Sequence, residues 1–254
     1  MPTLTKNAGF LPADLNLLTR ETDMFLTTVG SLAPDELAAP SRRAGWTRGD
    51  VLAQVARTAD AIADLMEQAH AGEAAADAGS APQAASGDSG HSGDSDDSGA
   101  GSDPARLKAA ARAACERVRA AAQSLRTGVA TPTVHVEGRD LDAYWLPALW
   151  TTHVIVDHHD LDTVWELQEA DITALEDAMD LLTSRLAQRA SADEPGLRLR
   201  TTEGEEHVVG DGAHTLRGDR AALLGWITRG ATEGVTAETG DLPAPPAPVL
   251  LEPA

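Results

Sequence analysis

The densest run of chemically capable side chains is His153-Val154-Ile155-Val156-Asp157-His158-His159-Asp160-Leu161-Asp162. His153 and Asp157 stand four residues apart, so on a helix they share one face and can both reach an ion held against a neighbouring helix. Imidazole and carboxylate are both good zinc ligands, and a catalytic zinc site takes three protein ligands plus water. The run also reads as the last turn of a helix, where His favours the negative end of the dipole and Asp organises the following turn. The spacing identifies no third ligand. His135 lies in a short β-like piece, and His70, His91, His207 and His214 sit near loops or strands. Asp50 and Gln54 share another helical face, with Asp50 reading first as a helix cap.

Cys115 is the single cysteine, which excludes an internal disulfide framework and a Cys-rich zinc site. It sits in the Ala-rich stretch Arg112-Ala113-Ala114-Cys115-Glu116-Arg117 with no His or Asn at a spacing that suggests a nucleophile, and reads as a core thiol.

The elements that must position these residues are mostly helical. Leu11, Leu15, Leu18, Phe25, Leu26 and Val29 form a helical stripe over residues 12–29, which Pro34 and Pro40 interrupt. Thr47-Arg48-Gly49-Asp50 has the form of a capping box with Asp in the usual Glu position, and Val51, Leu52, Val55, Ala59, Ile62, Leu65 and Met66 follow on one broad face. Residues 104–126 predict an Arg-studded helix with Pro104 in its first turn. A β-like piece spans 133–136, a buried helix begins near Pro147, and Asp171 caps a helix carrying Ile172, Leu175, Met179, Leu182 and Leu186. Beyond Pro195-Gly196, residues 197–201, 207–209 and 213–217 predict three short strands, and a last helix runs from a cap at Asp219 to Arg229-Gly230. Helices followed by a small strand-and-helix unit predict a bundle at 1–190 and an α+β domain at 191–254.

Between about Ala71 and Asp103 the chain consists largely of Gly, Ser, Ala and Asp without Lys or Arg, and reads as a disordered acidic insert. Its seven acids contribute to a net charge of −20 over 254 residues, but the rest of the chain is acidic too. So negative a surface disfavours nucleic acid and anionic membrane as partners. With neither a signal segment nor an apolar run of spanning length, a cytoplasmic protein is expected.

Gly45-Trp46-Thr47-Arg48-Gly49-Asp50-Val51-Leu52-Ala53-Gln54 resembles a segment of the mycothiol-dependent maleylpyruvate isomerases, within the DinB-like metalloenzyme superfamily. Gly138-Arg139, the helix ending in Asp160-Leu161, and Trp226-Ile227-Thr228-Arg229-Gly230 with Gly234-Val235 are similar to later segments of that family. The resemblance implies a mainly α protein, with a DinB-like four-helix bundle followed by a small sterol-carrier-like α+β domain. It also implies a divalent metal, typically zinc, with mycothiol as a thiolate that adds to a small electrophilic substrate. The family's metal-binding His, Glu and His fall on Gln54, His153 and Asp157, so one ligand becomes an amide oxygen and the other two exchange imidazole and carboxylate. Zinc should bind this set less well. Arg229 falls where the family carries an Arg-Gly beside its active site, suited to an anionic group of substrate or thiol. Two functions follow from the resemblance: a thiol-dependent metalloenzyme with an altered ligand set, or a non-catalytic relative acting as a small-molecule-binding or regulatory module.

Overall fold

The computed structural model describes residues 5–71, 103–130, 132–136, 139–190, 196–246 and 250. The acidic insert expected at 71–103 lies outside the described residues except for its two ends, Ala71 and Asp103.

Local chemistry fixes the start of each bundle helix. Helix α1, Leu11–Ser31, has Pro12 in its first turn, where the missing N–H costs nothing. Helix α2, Arg48–Ala71, opens on the expected capping box: the Thr47 hydroxyl accepts from the Asp50 N–H at 3.1 Å, and the Asp50 carboxylate accepts from the Thr47 N–H at 2.8 Å. Helix α3, Pro104–Leu125, is capped by Asp103, whose carboxylate accepts from the Ala105 N–H. Ala111, Ala114, Cys115, Ala121 and Ala122 form much of its buried face, and these small side chains let it lie close along α2.

Strands β1, Thr133–Val136, and β2, Arg139–Asp142, pair antiparallel with Val134 opposite Leu141. The second strand goes unmarked in the sequence because Arg-Asp-Leu-Asp buries only Leu141. Helix α4, Leu146–Asp160, follows and is buried at every position except His159. It carries no amphipathic pattern because α1, α2 and α5 all pack on it. With α1 and α2 each also against α3, helices α1 to α4 close a four-helix bundle.

Helix α5, Ile172–Arg189, is capped by Asp171 and packs on α4, on helix α6 (Arg220–Arg229) and on strand β4. Strands β3, Leu197–Thr201, β4, Glu206–Val209, β5, His214–Gly218, and β6, Thr236–Ala237, form a sheet in the order β4-β3-β5-β6. β3 and β5 run parallel with Leu199 opposite Leu216, both fully buried, whereas Arg200 and Arg217 point to the exposed face. Helix α6 starts at Asp219, whose carboxylate accepts from the Ala222 N–H, and ends on Gly230 at φ 71°. The chain is therefore helical first and α+β last. No helix among the described residues is long and apolar enough to cross a membrane.

Candidate functional site

His153 and Asp157 lie one turn apart on α4, both buried. Gln54 is buried on α2, a helix packed on α4. Arg229 approaches from the last turn of α6. Its Nη2 stands 3.4 Å from Asp157 Oδ1 and 2.7 Å from Asp160 Oδ2, and its Nε donates to the same Asp160 oxygen at 2.8 Å. One guanidinium thus joins the C-terminal unit to two carboxylates of the bundle helix.

Arginines accompany all three residues to which the resemblance assigns a metal. The Gln54 carbonyl oxygen accepts from Arg57 Nη2 at 2.6 Å, and its amide nitrogen donates to Thr58 at 3.2 Å. Asp157 lies beside Arg229. His153 is held to about 3 in pKa by burial first, then by the positive fields of Arg185 and Arg229. A divalent ion needs unencumbered lone pairs in a negative field, and here the amide oxygen is engaged and the carboxylate faces a guanidinium. The residues therefore do not fit a divalent metal as they are arranged. Among the described residues, no group of three or more His, Cys, Asp or Glu is placed to hold a metal ion.

Cys115 is fully buried and its thiol is pushed up to about 12, chiefly by desolvation, which makes it a packing residue and not a nucleophile. His158 is also a core residue. Its ring stacks on Trp165 at 4.0 Å, meets Phe25 edge-on, and lies 2.7 Å from the Thr28 hydroxyl, with burial lowering it to about 4. Asp50 serves as the capping residue described above.

A cleft of about 690 Å³ opens between the C-terminal end of α4 and α6, walled by Arg42, His159, Asp160, Gly225, Arg229 and Ala231 among others. Arg42 is tied to Asp162 at 3.1 Å and to Glu166 at 2.6 Å, and its Nη1 lies 3.5 Å from His159. Asp160 has no exposed surface, and its Oδ1 has no hydrogen-bond partner among the described residues. The sequence marked Asp160 only as part of the His- and Asp-dense run, and it did not single out Arg185, Arg57 or Arg42. Arg185 carried a readable signal, a charge three residues after Leu182 and one before Leu186 on the apolar stripe of α5. Arg42 is brought to the cleft only by tertiary packing.

The described residues thus form a helical bundle joined to a small α+β unit, with a polar cleft between α4 and α6 and an arginine spanning the junction. The family profile described as "Mycothiol maleylpyruvate isomerase N-terminal domain" matches residues 18–162, and the chain belongs to that family. Two solved structures of the mycothiol-dependent maleylpyruvate isomerase, one of a point mutant, share the fold at 21% identity. The mutant aligns with a TM-score of 0.70 and the other with 0.69, each covering 97% of this chain and 99% of its own. No curated protein matches the chain.

Proposed function

We propose that the chain binds a low-molecular-weight thiol of the mycothiol kind, together with a small polar or electrophilic substrate, in the cleft between α4 and α6. The observation that carries this reading is the cleft itself. Its volume of about 690 Å³ suits a small-molecule ligand, and one wall is a guanidinium aligned by a fully buried carboxylate. A bound thiol supplies the nucleophilic sulfur that Cys115, buried and protonated, does not.

Arg229 faces an anionic group brought into the cleft and favours its charged form, thiolate or carboxylate. Asp160, fully buried behind the cleft wall, fixes the plane of that guanidinium. Val156 on α4 and Leu167, in the turn before α5, supply dry walls. Isomerisation of maleylpyruvate, the activity named for the solved relatives, is the first reaction to assay. Binding without turnover is the second reading, favoured by the two carboxylates that reduce the field Arg229 presents.

The test is calorimetric titration with mycothiol of the native chain and of Ala231→Trp, which places an indole at an exposed position on the cleft wall. Binding one thiol per chain, weakened about tenfold or more in the variant at unchanged melting temperature, supports the proposal. Equal affinity in both proteins removes the cleft as the site.

A further inference from the structure

We infer that Arg42 is the substrate-anchoring arginine of the cleft, and that it binds a carboxylate of the substrate by exchanging it for Glu166, its present partner. The inference rests on the α4–α6 cleft being the binding site and names the class of substrate it takes, a small molecule bearing a carboxylate.

The cleft wall carries two arginines whose charges are engaged to different degrees. Arg229 faces Asp157 and Asp160, whose side chains are 6% and 0% exposed, so water screens neither pair and an incoming anion gains little by breaking them. Arg42 faces Asp162 and Glu166, which are 52% and 46% exposed. Ion pairs this open to water contribute little, and a ligand carboxylate displaces Glu166 at small cost. Arg229 keeps its two buried partners and acts on the thiol through its field, while Arg42 is the guanidinium free to change partner.

The geometry favours the ligand in that exchange. The Arg42 backbone N–H donates to the Asp160 carbonyl at 2.9 Å, which pins the residue to the end of α4 and leaves the side chain to reorient. Nη2 meets Glu166 through a single oxygen at 2.6 Å, and Nη1 has only a long contact of 3.5 Å with His159 Nε2. A substrate carboxylate can take Nη1 and Nη2 together, the two-point pairing that a guanidinium fork offers and that Glu166 does not use. The turn carrying Glu166 stays in place when Arg42 lets go, because Arg48 Nη2 donates to the Asp162 carbonyl at 2.6 Å and Trp165 remains stacked on His158. One anion leaves the guanidinium as another arrives, so its charge stays compensated throughout.

The experiment measures, by ligand-detected NMR with no thiol present, the binding of crotonate, a small unsaturated carboxylate, and of crotonamide, its uncharged counterpart. The native chain, Arg42→Gln, Glu166→Gln and Ala231→Trp are compared, with melting temperatures recorded. The native chain should bind crotonate about tenfold or more tighter than crotonamide. Arg42→Gln should lose that preference with crotonamide affinity unchanged. Glu166→Gln removes the competing charge and should bind crotonate several-fold tighter than the native chain does, a gain that damage to the fold does not produce. Ala231→Trp should weaken both ligands. Equal affinity for the two ligands in the native chain overturns the inference, as does a preference retained in Arg42→Gln or crotonate binding that is unchanged or weaker in Glu166→Gln. If Arg42→Gln does not fold, the Glu166→Gln result decides. Mycothiol binding that Ala231→Trp weakens, without any preference for crotonate, refutes the role of Arg42 alone, whereas mycothiol binding that Ala231→Trp leaves unchanged removes the cleft and this inference with it.

Discussion

His158 shows how a residue that looks reactive in a list of letters becomes inert in a core. Its ring lies flat on Trp165 and edge-on to Phe25, and burial lowers its pKa to about 4. An unfolded histidine titrates near 6.5, so between roughly pH 6.5 and 4 the unfolded chain binds a proton that the folded chain refuses. Stability from this group is fully present above pH 6.5 and is lost as the pH falls toward 4, by an amount on the order of 3 kcal/mol. His153, at about 3, contributes in the same direction. Denaturant titrations of His158→Phe, which keeps an aromatic ring against Trp165, should show a shallower decline across that window. An unchanged slope would mean that His158 does not titrate with folding. The sequence made the His and Asp density visible but could not separate core from cleft. Of the consecutive pair His158 and His159, adjacent positions on α4 send one into the core and the other to the cleft wall.

Helix starts were legible because capping chemistry is local. Thr47 with Asp50, Pro104, Asp171 and Asp219 each mark a boundary within a residue or two of where the structure places it. Asp50→Ala removes the acceptor for the Thr47 N–H and should cost about 1 kcal/mol, a fall of roughly 2–4 °C in melting temperature. Gly230→Ala should cost a similar amount, since φ there is 71° and a Cβ would stand 3.0 Å from Pro245 Cγ. Thermal melts of the two variants check both expectations, and wild-type melting would contradict them. What was not legible were elements made by pairing alone. β2 and the two-residue β6 carry little apolar pattern of their own, and both exist because a partner strand offers a ladder.

At the scale of the molecule, the order of helices and strands, with the Gly-Trp-Thr-Arg segment, was enough to reach the architecture and the family. The site was only partly readable. Gln54, His153, Asp157 and Arg229 were marked by resemblance, yet nothing linear says that a guanidinium from α6 reaches the carboxylates of α4, or that Arg57 engages Gln54. Those contacts join residues 72 and 69 positions apart for Arg229, and they change the chemistry expected of the site from metal-centred to arginine-centred.

The central claim is that a small thiol binds in the α4–α6 cleft without help from a metal ion. Calorimetric titration of the native chain with mycothiol in the presence of excess EDTA tests it most directly. Saturable one-to-one binding, with the same affinity when EDTA is replaced by zinc, is the predicted result. Binding that appears only when zinc is supplied, or no binding under either condition, would contradict the account.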